Sequence, residues 1–282
     1  MRNIIRFTVM GNLEQLLHIC KNYKQHALDY VESMGYDHGT IYITLYQDIM
    51  EFKELEVYIQ ENSLVVDTTL YRDFSQEEQE KIPYYKLNLN FLDAKILTSK
   101  EYGTKYIYNK CEQCQAGKEQ LSPIYIPENT MLGYDIISIQ PEVIISNQLK
   151  KRFEIEAMRG AGYREVFDKK TKKTSKEFWQ LCIHSNLPKL KEDTTIGIRP
   201  NCESCGRESV VILGTCSYKL TDFDSKQDFY LTEESVHFAR HWDKRNGYRL
   251  HEVIISKRTK EILDEYSGKN YSCTPVYFEE LY

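Results

Sequence analysis

The sequence predicts an α+β protein, on three observations. Short runs of β-branched and aromatic residues alternate irregularly with capped helical segments, one stretch keeps a strict two-residue period, and one strand-to-helix segment occurs twice. The 282 residues are enough for two domains or one large one and bury a core without needing a covalent staple. With 41% hydrophobic and 28% charged residues but only 13 Gly and 7 Pro, the composition excludes a disordered or fibrous chain. Setting 37 basic against 42 acidic side chains leaves −5, which argues against general attraction to nucleic acid or an anionic membrane.

The first element is a strand over 3–9; Arg6 interrupts its apolar residues, so it does not read as a signal peptide. No stretch reaches 18 apolar residues, and the expected location is the cytoplasm. Thiols stay reduced there, so the eight cysteines read as buried side chains, metal ligands or reactive thiols and not as disulfides.

A helix is expected over 12–33, with Leu13, Leu16, Leu17, Cys20, Tyr23, Ala27, Tyr30 and Val31 at helical spacing and Gly35 ending it. Runs at 40–46, 55–59 and 64–71 carry strand composition. Ser75 followed by Gln-Glu-Glu is a capped helix start with an acidic first turn, closed by Pro83. Residues 84–91 alternate as a half-buried strand does. Residues 1–100 thus form an N-terminal α+β region without visible chemistry.

Residues 101–282 read as a second, duplicated domain. A strand at 105–109 runs into Cys111-Glu-Gln-Cys114, and a second such pair is Cys202-Glu-Ser-Cys205, followed by Gly206. Glu142-Val-Ile-Ile-Ser146 recurs letter for letter as Glu252-Val-Ile-Ile-Ser256, each leading into polar, helix-forming residues that reach Phe153 and Leu263. Ser146 and Ser256 stand where a strand stops and a helix starts, so both are expected N-caps. Strands follow at 163–167 and 274–278. The copies span about 102–184 and 196–282, each a CxxC knuckle, a connection, a strand, a helix and a closing strand. The second holds an insertion that includes 231–242, and outside the repeat a Lys-rich hairpin turn is expected over 169–176.

The two CxxC pairs are the strongest chemical signal. A two-residue spacer lets both sulfurs point at one ion, and Cys111, Cys114, Cys202 and Cys205 together would complete a tetrahedron around a structural zinc. Zinc ribbons place such pairs about 15–20 residues apart. Here Cys114 and Cys202 are 88 apart. The longer loop costs only about 1.4 kcal/mol more, against roughly 10 kcal/mol of apparent zinc binding, so one shared site is allowed. Two other readings stay open: hairpin-tip cysteines that bind nothing, and a redox CxxC, although neither pair opens a helix that would acidify a thiol. Cys182, His184 and Cys216 are possible substitute ligands; Cys20, Cys182, Cys216 and Cys273 read more simply as small buried side chains.

His237 and His241 are four apart on an expected helix near Trp242, but no Glu follows His237, and a packed helix face is the simpler account. The lysines of 169–176 could touch phosphates; an exposed, self-repelling turn is the default. No Gly-rich phosphate loop, nucleophile elbow or kinase set is present, so the sequence argues against an enzyme. The 22 tyrosines suit a recognition surface. Tyr42, Tyr46, Tyr84, Tyr85 and Tyr106 instead fall in strands, where Tyr is favoured anyway.

Cys111-x-x-Cys114, Tyr163-Arg-Glu-Val, Phe178-Trp-Gln-Leu, Cys202-x-x-Cys205-Gly-Arg, Asp228-Phe with a following helix, and Ile254-Ile-Ser256 through Pro275-Val together resemble the bacterial double-CXXCG-motif family. The resemblance covers about residues 102–282; Gln115 replaces the expected Gly of the first knuckle, and residues 1–100 have no counterpart. Members of that family are regarded as immunity proteins of contact-dependent or polymorphic toxin systems. It implies a protein that binds and neutralises a cognate protein toxin in the cytoplasm, with zinc holding the fold and no membrane partner. The competing expectation is a zinc-ribbon-like nucleic-acid-binding adaptor, which the overall charge disfavours.

Overall fold

The computed structural model describes residues 1–89, 103–113, 116–139, 142–199, 201–207, 209–234, 236–238, 248–266 and 270–282. Helices and several sheets coexist, as an α+β chain requires.

The N-terminal unit runs β1 (Arg2–Asn12), α1 (Leu13–Tyr23), β2 (Asp29–Met34), β3 (His38–Tyr46), α2 (Met50–Glu61) and β4 (Val65–Asp73), with sheet order β2-β3-β1-β4 and every pair antiparallel. This is the split βαβ arrangement found in ferredoxin-like folds. Both helices cover one face, where Phe7, Val9, Ile41, Ile43 and Leu45 meet Leu16, Ile19, Phe52 and Leu55. Asn12 caps α1 with Gln15 returning the bond.

Two expectations fail here. The helix foreseen over 12–33 ends at Tyr23, with one 3-10 turn to His26, and residues 29–34 pair with β3 instead. Gly35 therefore belongs to the β2–β3 turn, donating its N–H to His38 O, and does not end a helix. Tyr30 and Val31 matched helical spacing, but the hairpin partner offers hydrogen bonds that override that pattern. The run at 55–59 lies inside α2, because Phe52, Leu55 and Ile59 share one buried helical stripe.

Then come α3 (Gln76–Lys81), with the expected Ser75 capping box, and β5 (Tyr84–Leu89). Next are β6 (Tyr106–Cys111), β7 (Ala116–Gln120), β8 (Ile124–Ile126), the short α4 (Glu128–Met131), β9 (Ile136–Ile139), β10 (Glu142–Ser146), α5 (Asn147–Ile155), β11 (Ala161–Asp168) and β12 (Thr174–Ile183). The last third holds β13 (Ile196–Arg199), β14 (Ser209–Ile212), β15 (Ser217–Tyr218), β16 (Phe229–Leu231), β17 (Val236–Phe238), β18 (Tyr248–Leu250), β19 (Val253–Ser256), α6 (Lys257–Asp264), β20 (Tyr271–Pro275) and β21 (Tyr277–Phe278).

Two sheets carry the duplicated segment, ordered β8-β11-β12-β10-β9 and β16-β19-β5-β20. Their registers correspond. Val143 and Val253 face Leu181 of β12 and Leu87 of β5; Ser146 and Ser256 face Phe178 and Tyr84; Tyr163 and Cys273 close the same rows. β5 thus occupies in the second copy the place that β12 holds in the first, although in chain order it precedes both copies. The hydrogen bonding consequently crosses the sequence division at residue 100.

The repeat letters are buried on both faces. Val143, Ile145, Val253 and Ile255 share one core with Leu149 and Phe153 of α5 and Ile262 and Leu263 of α6, whereas Ile144 and Ile254 turn into two separate cores. Arg152 and Arg258 tie the helices together through Glu265 and Glu156.

Ser146 accepts from Leu149 N–H at 3.1 Å and Ser256 from Thr259 N–H at 3.1 Å, as expected of N-caps. Each hydroxyl also donates to an aspartate, Asp135 at 2.9 Å and Asp228 at 2.8 Å, whose carbonyl accepts the serine's own N–H. Ser146→Ala and Ser256→Ala are each expected to cost about 1–3 kcal/mol in urea unfolding, a lost cap plus a carboxylate short of a donor. Equal losses fit two equivalent joints; an effect at one site only would contradict the equivalence.

The N-terminal sheet is joined to the rest along β4. Leu70 N–H donates to Thr195 Oγ1 at 2.9 Å, Arg72 N–H donates to Thr215 Oγ1 at 3.0 Å, and Leu70 O accepts from Thr215 N–H. The approach is so close that a Cβ on Gly214 would lie 2.1 Å from Leu70 O. Arg72 pairs with Asp193 at 2.6 Å and lies over the Tyr277 ring.

Candidate metal centre

Two β-hairpins present the knuckles. In the first, β6 and β7 pair from Tyr106–Gln120 to Tyr108–Lys118, then slip register so that Cys111 faces Ala116 at the tip. In the second, β13 and β14 pair from Ile196–Ile212 to Arg199–Ser209, and Cys202 and Cys205 lie in the connecting turn. Cys202 N–H donates to Arg207 O at 3.0 Å and Gly206 N–H donates to Cys202 O at 2.8 Å, closing the loop on itself. Gly206 has φ +65°, the left-handed conformation that glycine adopts without strain.

These hairpin tips meet. Cys111 Sγ lies 3.7 Å from Cys202 Sγ, and the sulfurs of Cys111, Cys202 and Cys205 all lie within 4.8 Å of one another. Cys111 and Cys202 are buried, with 9% and 8% of their surface exposed, and form a small apolar cluster of their own; Cys205 is exposed. The Ser204 hydroxyl donates to Gln113 Oε1, bridging the two turns. Cys114 lies outside the described residues, three positions after Cys111.

The donor set fits a soft metal. Four sulfurs at about 2.3 Å from a tetrahedral ion would stand roughly 3.8 Å apart, close to the Cys111–Cys202 separation. Burial alone would push the Cys202 thiol up, but the amides of Cys205 and Ser204 and the neighbouring thiols of Cys205 and Cys111 outweigh it and bring it down to about 6. A thiolate at Cys202 is the form that binds a cation.

No family model, curated protein or solved structure matches this chain. Its chemistry must therefore be argued from the site alone.

Among the described residues, Cys111, Cys202 and Cys205 are the one group with metal-binding spacing. Cys182, His184 and Cys216 stand elsewhere: Cys182 on β12 opposite Gly162, His184 just beyond it, and Cys216 within the core around Tyr218 and Phe278. Burial pushes the Cys216 thiol up to about 12 and Cys273 to about 11, and raises Cys182, as expected of packed side chains. Cys20 is half-buried, its sulfur 3.8 Å from Glu32.

His237 falls on β17, paired with Arg249 of β18, and not on the expected helix; His241 and Trp242 lie outside the described residues. The turn between β11 and β12 is the expected Lys-rich hairpin, and Lys172 lies over the Tyr125 ring. Among the described residues no helix is long and apolar enough to cross a membrane.

What the spacing did not reveal is how two turns so far apart in sequence meet. That meeting is set by the sheets behind them and by the Gln113–Ser204 bridge, for which the sequence carries no recognisable signal.

Proposed function

We propose that this chain is an immunity protein, which binds and so neutralises a cognate bacterial toxin, and that one structural zinc held by Cys111, Cys114, Cys202 and Cys205 fastens its two knuckles. The observation that carries the reading is the convergence of Cys111, Cys202 and Cys205 from two hairpins, in a chain whose order of motifs resembles the double-CXXCG family. Four thiolates leave a tetrahedral ion no open position, so zinc would act as a clip and not as a Lewis acid. Thiolate donors select zinc over magnesium or calcium, which prefer oxygen. The protein's work is then surface complementarity, with net acidity favouring a basic toxin.

The test is co-expression with the toxic domain encoded beside its gene. Protection of growth, with a complex that co-purifies from the same cells, is the expected result. Neither protection nor complex would overturn the reading.

A further inference from the structure

The N-terminal sheet has two edges, treated oppositely. β4 is occupied by Thr195 and Thr215 of the same chain. Among the described residues β2 is the other outer strand, and along it four of six residues run exposed without interruption, from Val31 to Met34. Every second residue of such an edge turns its N–H and C=O outward, a template for another strand unless the protein blunts it with Lys, Pro or a covering loop. Residues 29–34 contain neither Lys nor Pro.

Exposed apolar side chains gather at this edge. Val31 is 51% exposed, Tyr36 at the hairpin tip is fully exposed, and Met34, together with Tyr42 directly across from Val31, is more than a third exposed. Val31 and Tyr42 make an exposed apolar pair on the sheet face away from the helices, a small recognition patch, whereas Met34 lies on the other face toward Leu16.

Acidic side chains outnumber basic ones around this edge; Asp29 and Asp48 are paired with Arg6 and Arg2 of β1 and Lys24 lies over the Tyr30 ring, which leaves Glu32 and Asp37 without an ion pair among the described residues. Between Lys24 and Lys53 the chain carries Asp29, Glu32, Asp37, Asp48 and Glu51 and no Lys or Arg. Residues 1–73 hold 11 acidic against 6 basic side chains, the remaining residues 31 against 31, so the whole negative excess belongs to this unit.

We propose that the free edge of β2 is a docking site for a basic, extended segment of another protein, which joins the sheet as a further strand with its apolar side chains on Val31 and Tyr42. Main-chain hydrogen bonds supply affinity in this mode, and side chains and charge supply choice. A second copy of the chain is the poorer occupant, since it would bring two acidic edges together. The inference does not depend on the immunity reading.

The probe is a synthetic octapeptide alternating lysine and valine, with a glutamate–valine peptide as control, and the readout is amide hydrogen exchange over residues 29–34 of the full chain. The lysine peptide is expected to slow exchange there by roughly ten-fold, an effect that fades as salt is raised. Asp37→Lys, at the exposed tip beside this edge, is expected to weaken the peptide by roughly five-fold with the melting temperature unchanged. Unaltered exchange over 29–34, or equal slowing by both peptides, would overturn the proposal. So would slowing without peptide that grows with protein concentration alongside a dimer in sedimentation. Uptake of the lysine peptide by a protein that fails to protect against its candidate toxin would sink the immunity reading and leave this one standing.

Discussion

A chain that begins at residue 101 is expected not to fold. The sequence suggests a division there, but β5 lies between β19 and β20, pairing Leu87 with both Val253 and Cys273. Removing it strips both flanking strands of their central partner and takes Tyr84, Tyr85, Leu87 and, just before them, Ile82 out of two cores. Each large buried side chain lost costs about 2–5 kcal/mol, so four together exceed much of the roughly 5–15 kcal/mol that holds a typical domain. A chain starting at residue 82 restores the strand and is expected to unfold cooperatively in urea, whereas 101–282 shows no cooperative transition. A cooperative transition in the shorter chain would show that the second sheet closes without β5.

The second large effect is at the metal centre. Cys111→Ser and Cys202→Ser are each expected to abolish metal binding, measured by elemental analysis of tag-free protein as about one zinc per wild-type chain and none in either variant. Loss of the clip should lower stability by at least about 3 kcal/mol, which for a chain of this size moves the melting temperature down by roughly 5–10 °C. A chelator should reproduce the shift in the wild type and have no effect on either variant. Cys216→Ser separates a lost ligand from a lost core residue: it should destabilise through packing while zinc stays bound. Metal retained in Cys111→Ser would remove the Cys111 sulfur from the site.

Much of this was legible in the sequence, for local reasons. Ser75, Ser146 and Ser256 announce helix starts through chemistry complete within four residues. The repeated Val-Ile-Ile reports a strand buried on both faces whatever lies against it. Failures came where a distant partner decided the outcome. Residues 29–34 satisfy a helical pattern as well as an extended one, and β3 settles the choice. Residues 55–59 have strand composition but find their core as a helical stripe. At the candidate metal centre the cysteines and their spacing could be read directly, whereas the approach of the two hairpins depends on sheet geometry that no window of sequence contains.

The exchange of β5 for β12 also bears on how the chain is made. During synthesis β12 leaves the ribosome just behind β10 and β11, so the first sheet can close as it emerges. β5 has no such fortune: more than 160 residues separate Leu89 from Val253, its first partner strand. At about 5–20 residues per second that is an interval of roughly 10–30 s in which an apolar strand waits unpaired. The nascent chain is most exposed to wrong pairing during that interval, and release of the final thirty residues ends it.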